Sequence, residues 1–183
     1  MKDLSLHILD IVQNSIRAKA KLIGIEISEY PEEDQLVITI TDDGTGMNQE
    51  QVQRAIDPFY TSRTTRNVGL GLSLFKQNAE MTGGSFTIES ELGKGTKVTA
   101  TFGLKHIDRP IMGDLVGTLL LLITDAKSES DYVFKHQTRT GRYELDTRQI
   151  RQTLENVSIS HPEVRSFVKE MIQENLEQIQ ISE

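Results

Sequence analysis

Four short stretches carry residue types that do chemistry at useful spacings. Asp10 and Asn14 lie one helical turn apart, so on a helix their side chains point the same way. A carboxylate beside an amide oxygen suits Mg²⁺ with its bound waters, or a water being activated for attack. Asp42-Asp43-Gly44-Thr45-Gly46-Met47 follows a strand-like run. Gly44 and Gly46 permit a tight turn and let a ligand touch the backbone. A carboxylate at a strand end can accept a hydrogen bond from an exocyclic amine such as that of adenine. Gly69-Leu70-Gly71-Leu72 opens a helix, and the free N–H groups and dipole of such a terminus favour an anion. The preceding Thr61-Ser62-Arg63-Thr64-Thr65-Arg66 adds hydroxyl donors and two guanidinium groups for phosphate. Gly93-Lys94-Gly95-Thr96 reads as a hairpin turn. It lacks the spacing of a phosphate-binding P-loop, and a strand rather than a helix follows it. Taken singly, each stretch has an ordinary alternative: a solvated helix face, a strand-ending Asp-Gly turn, a basic loop.

The elements that must position these residues follow from periodicity. Residues 3–20 read as a helix with Leu4, Ile8, Ile11, Val12 and Ile16 on one face and Asp3, His7, Asp10, Asn14 and Arg17 along a polar stripe. Strands are predicted over 22–29 and 35–41, a short helix over 49–55, a loop over 57–71 and a helix over 70–81 stopped by Gly83-Gly84. Two alternating strands, 85–90 and 97–102, complete the series. The order implies an α+β fold: a two-layer α/β sandwich in which a mixed sheet is covered by helices on one face.

A composition change near Lys105–Pro110 marks an expected boundary, with one domain over 1–104 and a smaller α/β module over 105–183. In that module a helix is predicted over 114–123 and a hairpin over 132–147. A helix is expected from Ser160 as cap, with Glu163 at its third position, to about Ile179, packing on the hairpin.

The chain has 183 residues, 20 Lys+Arg against 27 Asp+Glu, a net charge of −7 and no Cys. A thiolate metal site and a disulfide framework are therefore excluded. An acidic balance argues against nucleic-acid and membrane-surface partners. No apolar run approaches the ~20 residues of a membrane span, and no signal pattern opens the chain, so a cytoplasmic protein is expected.

The order of the motifs resembles the GHKL superfamily, the ATP-binding domains of gyrase-type, heat-shock-chaperone, histidine-kinase and mismatch-repair proteins. Residues 10–18 resemble its asparagine box, 42–47 its adenine-aspartate box and 57–63 the phenylalanine box of histidine kinases. Residues 68–74 resemble its Gly-Leu-Gly-Leu box, and Gly83-Gly84 through Thr96 the end of the domain. The resemblance covers about residues 1–104. It implies ATP and Mg²⁺ as ligands, with Asn14 on the metal. It implies that Asp42 reads the adenine amine with Thr96 in support through water, and that Gly44, Gly46 and Met47 line the adenine pocket. Arg17, Thr61, Ser62, Arg63, Gly69, Leu70, Gly71 and Leu72 would hold phosphates or form a short lid and its hinge.

Two departures shape the expected function. Asp10 stands where the hydrolysing branches carry Glu and many histidine kinases an amide, and it is the expected catalytic residue. No phospho-acceptor His motif occurs, and His7 is expected on the polar stripe or against the lid. The expectation is a stand-alone domain that hydrolyses ATP slowly or transfers phosphoryl to a protein partner, as anti-sigma serine kinases do. The alternatives are a non-catalytic ATP-sensing switch or scaffold, and the catalytic subunit of a split sensor histidine kinase.

Overall fold

The first helix, α1 (Leu4–Arg17), starts where Asp3 Oδ1 accepts the Leu6 N–H at 2.9 Å. The computed structural model describes residues 3–58 and 70–181. After α1 come β1 (Leu22–Tyr30), β2 (Gln35–Asp42), α2 (Gln49–Ile56), α3 (Gly71–Met81), β3 (Ser85–Glu91) and β4 (Gly95–Gly103). The chain continues through α4 (Leu115–Ile123), β5 (Asp131–Gln137), β6 (Arg142–Asp146), α5 (Thr147–Leu154) and α6 (Pro162–Gln178).

The strands form one mixed sheet in the order β3-β4-β2-β1-β5-β6. Only the β1–β5 pair is parallel. Alternation decides which face is covered. Ile23, Ile25 and Ile27 of β1, Leu36, Ile38 and Ile40 of β2, and Val98, Ala100 and Phe102 of β4 are all buried. Their registered neighbours Glu26, Thr39 and Thr99 turn to the opposite, more open face. Helix α1 packs against both α3 and α4, and α1 and α3 pack against the sheet, which is the two-layer sandwich expected.

The sheet and the core run across residue 104 without a break. β5 pairs along β1 from Leu22↔Asp131 to Ser28↔Gln137, placing Tyr132, Phe134 and His136 on the covered face. Glu29, on the same face of β1, is buried, and its Oε1 lies 3.2 Å from the equally buried His136 Nε2. A carboxylate removed from water must find such a partner, so the pair ties the two strands in one register. Burial pushes the nearby Arg109 guanidinium down, while the Glu29 carboxylate pulls it back up.

The C-terminal elements differ from expectation in three places. The second strand of the hairpin ends at Asp146, whose carboxylate caps α5 by accepting the Arg148 N–H at 2.9 Å. That helix is not predicted because TRQIRQTL offers only two apolar residues, Ile150 and Leu154, one turn apart and half-buried against the core, too few to mark a helix by periodicity. Ser160 does not cap α6: its hydroxyl meets Ser158 Oγ at 2.8 Å, and His161 holds the cap position. The helix instead docks at its far end, where Thr138 and Thr140 hydroxyls donate to the Ile179 carbonyl.

His7 corrects a further expectation. It is not on a solvated stripe but fully buried between α1 and α3. Its ring centroid is 5.2 Å from that of Phe75, and Nε2 lies 2.8 Å from Asn78 Nδ2. Desolvation lowers its pKa from 6.5 to about 4, against a raising influence from Asp3. The unfolded chain therefore takes up this proton at higher pH than the folded one. Stability from a neutral His7 is complete above pH 6.5 and is lost as pH falls toward 4, by up to about 3 kcal/mol at roughly 1.4 kcal/mol per pH unit. Thermal melts from pH 7 to pH 4 should show this loss. His7→Gln, which keeps a hydrogen-bonding partner for Asn78, should flatten the profile in that window. An equally steep profile in the variant would assign the loss to other groups.

Candidate functional site

The site is organised by the end of β2. Asp42 is the last residue of that strand, and both of its carboxylate oxygens are held. Oδ2 accepts the Ser15 hydroxyl at 2.6 Å and Oδ1 accepts the Gly44 N–H at 2.9 Å. Ser15 is buried on α1, one residue beyond Asn14, so the helix orients the carboxylate directly.

The turn after Asp42 is clamped on both sides. Toward α1, the Thr45 N–H donates to the Ala18 carbonyl at 2.9 Å. Asp43 Oδ1 accepts the N–H groups of Lys21 at 2.7 Å and Leu22 at 2.9 Å. Toward the β3–β4 hairpin, the Met47 N–H donates to Ser90 Oγ at 2.8 Å and the Gly93 N–H to the Thr45 carbonyl at 2.8 Å. Gly46 has φ +65, and a Cβ there would overlap the Glu91 carbonyl. Both the left-handed backbone and the close approach require glycine. Thr96 is the register partner of Asp42 on β4, and its hydroxyl lies 2.8 Å from Ser90 Oγ. Gly44 is buried beneath the turn, and Met47 is half-buried at its far end.

The second part of the site lies where α1 meets the start of α3. Asp10 and Asn14 are half-buried on one face of α1. Asn14 Oδ1 accepts a hydrogen bond from the exposed Arg17 guanidinium at 2.9 Å. The Asp10 carboxylate occupies the space that a side chain on Gly71 would need. Leu70 is the N-cap residue of α3 and is 52% exposed. No side chain caps that terminus among the described residues. Its first-turn N–H groups therefore lie beside Asp10, with the positive end of the helix dipole. Leu72 points its side chain into the core, which leaves its backbone N–H as its possible contribution. Thr61, Ser62, Arg63 and Gly69 lie outside the described residues, as does most of the 57–63 stretch.

The structure thus sets the Asp10 carboxylate against Gly71, with Asn14 and Arg17 one and two turns further along α1, and brings Asp42, Gly44, Gly46, Met47 and Thr96 together at the strand end. Ser15 joins the two groups and is absent from the sequence reading, as is Ser90. A signal for Ser15 did exist. It stands four residues after Ile11 and three after Val12, on the core face of the helix, where a hydroxyl must find a buried partner.

The amide oxygen of Asn14 and the carboxylate of Asp10 are hard oxygen donors of the kind that suit Mg²⁺. Arg17 is exposed, so it can release Asn14 Oδ1 toward a cation and turn to an anion itself. Removing the hydroxyl with Ser15→Ala should lower the unfolding free energy by about 1–2 kcal/mol, because the Asp42 carboxylate loses a donor. Combined with Asp42→Ala, the two losses should fall short of additivity by about 1 kcal/mol in chemical denaturation. Additive losses would mean that the 2.6 Å contact contributes nothing of its own.

Comparison with known proteins identifies the family. Residues 2–106 match the model of the histidine kinase-, DNA gyrase B- and HSP90-like ATPases. The chain is 35% identical over 94 residues to sporulation kinase D of Bacillus subtilis, covering 51% of this chain and 18% of the relative. It is 30% identical over 106 residues to the sensor histidine kinase YxdK of the same organism, covering 55% of this chain and 33% of that protein. It is 32% identical over 118 residues to the non-motile and phage-resistance protein of Caulobacter vibrioides, covering 60% and 14%. The chain therefore spans a third or less of these relatives' length. A crystal structure of the N-terminal domain of a DNA repair protein shares the fold, with a TM-score of 0.56 at 16% identity over 80% of this chain and 53% of that one. The chain belongs to the family of histidine kinase-, DNA gyrase B- and HSP90-like ATPases.

Proposed function

We propose that the protein binds Mg-ATP between α1, α3 and the end of β2, and that it hydrolyses ATP slowly or transfers the γ-phosphoryl group to a protein partner. The observation that carries this reading is the Asp42 carboxylate, held by Ser15 and Gly44 at a strand end in a chain of this ATPase family. A carboxylate fixed in this way accepts a hydrogen bond from the 6-amino group of adenine and rejects the carbonyl that guanine carries there. Gly44, Gly46 and Met47 give the turn that receives the base, and Thr96 supports Asp42 from β4.

At the other end, the first-turn N–H groups of α3, from Gly71 and Leu72, would face the phosphates together with Arg17 and Leu70, and Thr61, Ser62, Arg63 and Gly69, outside the described residues, are proposed as further phosphate ligands by their residue types. Asn14 would hold Mg²⁺, which when bound neutralises charge on the triphosphate. Asp10, beside Gly71, accepts the proton of the attacking water or of a partner's hydroxyl. Its carboxylate reaches one methylene less far than a glutamate, in keeping with slow turnover. Phosphoryl transfer needs positioning and charge neutralisation more than covalent help, and these elements supply both. A protein partner fits the kinase relatives, each of which extends well beyond the region matched here.

Incubation of the protein with γ-labelled ATP and Mg²⁺, alone and in cell extract, tests this. Label should appear as free phosphate or on a partner protein, and Asp10→Asn should lower the rate about 100-fold while ATP binding survives. Unchanged turnover in Asp10→Asn would refute the base assignment. Tight ATP binding with no turnover at all would make the protein an ATP-responsive switch. Gly71→Ala should turn the Asp10 carboxylate aside and lower turnover about 10-fold or more, with melting temperature little changed. Full activity in that variant would show that the Asp10–Gly71 contact plays no part.

A further inference from the structure

We propose that Ser90 is a positioning residue for purine recognition. Its hydroxyl fixes the direction of the Thr96 hydroxyl proton, so that Thr96 and Asp42 face the base as acceptors only and the site is tuned to an exocyclic amine. This role rests on the reading of Asp42 as the purine's partner, and it adds a second residue and a hydrogen-bond direction.

Ser90, Thr96 and Asp42 form one row across three strands. Thr96 is the register partner of Asp42 on β2 and of Ser90 on β3. Register partners in an antiparallel pair share a face, with Cβ atoms about 5 Å apart. All three side chains are half-buried on the helix side of the sheet, where the Ser15 hydroxyl reaches Asp42.

A serine hydroxyl has one proton to give and two lone pairs. Three groups surround Ser90 Oγ: the Met47 N–H at 2.8 Å, the Gly95 carbonyl at 3.0 Å and Thr96 Oγ1 at 2.8 Å. The Met47 N–H can only donate, and the Gly95 carbonyl can only accept. Ser90 therefore gives its proton to Gly95, and the third contact is a hydrogen bond only if Thr96 donates. The opposite direction would leave the Gly95 carbonyl without the Ser90 proton and break one bond of the three. Gly95 is held close, since a Cβ on it would overlap the Asp42 carbonyl.

With its proton given to Ser90, Thr96 Oγ1 has only lone pairs left to offer. Ser90 is its one side-chain hydrogen-bond partner among the described residues. Asp42 is an acceptor too, with Ser15 and Gly44 each taking one lone pair and leaving others open. The free capacity of the row is thus two neighbouring acceptors on different strands. An adenine 6-amino group carries two N–H protons and can meet both, directly or through a water that donates to both oxygens. A 6-carbonyl meets lone pairs on both. A threonine hydroxyl without Ser90 would rotate to donate or to accept as the ligand required. Ser90 removes that freedom and so turns a tolerant contact into a selective one.

Titration calorimetry of the full chain with Mg²⁺ and either ATP or inosine triphosphate, in which a carbonyl replaces the 6-amino group, reads the ratio of the two dissociation constants. The unmodified protein should favour ATP at least about 10-fold. Ser90→Ala orphans the Met47 N–H and should weaken both nucleotides. It also releases the Thr96 proton, so the preference for ATP should shrink at least about threefold. Ser90→Thr keeps the hydroxyl and should keep the ratio. In a Thr96→Val background, Ser90→Ala should leave the ratio unchanged, because its effect runs through Thr96. If circular dichroism shows Ser90→Ala unfolded, Ser90→Cys takes its place, since a thiol is too weak a partner to hold Thr96. A purely structural Ser90 would weaken both nucleotides alike. An unchanged ratio in Ser90→Ala would therefore overturn the proposal, as would an equal shift in the Thr96→Val background or no preference for ATP in the unmodified protein. Asp42→Ala tells the two readings apart. Undiminished ATP affinity there refutes the purine site itself, whereas lost affinity there with an unchanged ratio in Ser90→Ala refutes only the role of Ser90.

Discussion

Two hydrogen bonds to one carboxylate hold the site in place. Ser15 binds Asp42 from α1 and Gly44 binds it from the turn, so the helix with the polar cluster and the strand end that faces it cannot shift independently. The remaining contacts of the turn follow from this constraint. Asp43 closes the start of β1, Thr45 is tied to the end of α1, and Met47 and Gly93 fasten the turn to the β3–β4 hairpin. Each bond satisfies a backbone donor that a bare loop would leave to water. Together they make the strand end rigid before any ligand arrives, the condition for discriminating one exocyclic group from another.

The region before residue 104 was legible because its signals were periodic or punctuated. Apolar alternation in β1, β2 and β4 and the glycines at 44, 46, 71 and 83–84 mark strands, turns and helix ends without help from tertiary contacts. What escaped was decided in three dimensions. His7 shares a helical stripe with Asp10 and Asn14, yet it is buried because α3 brings Phe75 and Asn78 over it. Ser15 looks like a small residue on an apolar face until β2 places Asp42 against it. α5 shows only the apolar pair Ile150 and Leu154, and its start is fixed in three dimensions, where Asp146 caps it and Thr147 bridges Asp131 to the Tyr132 N–H. The joining of β5 to β1 is a parallel pairing between segments about a hundred residues apart, which no local pattern announces.

That pairing gives the C-terminal elements their place in the molecule. Residues 131–146 extend the sheet at β1, the buried Glu29–His136 pair holds the register, and α4 packs against both α1 and α6. The segment at 111–112 holds the first turn of α1 while Asp42 holds its last, so one helix is gripped at one end by the C-terminal elements and at the other by the strand end. A change at either end has a short, continuous path to the other through that helix.

The account stands on Asp42 as the group that receives the purine. Titration calorimetry of Mg-ATP into Asp42→Ala, with circular dichroism showing the fold retained, tests it most directly. Loss of a charged hydrogen bond worth about 1.5–3 kcal/mol predicts an affinity at least about 10-fold weaker than that of the unmodified protein. Affinity that matches the unmodified protein would contradict the account and place the base elsewhere.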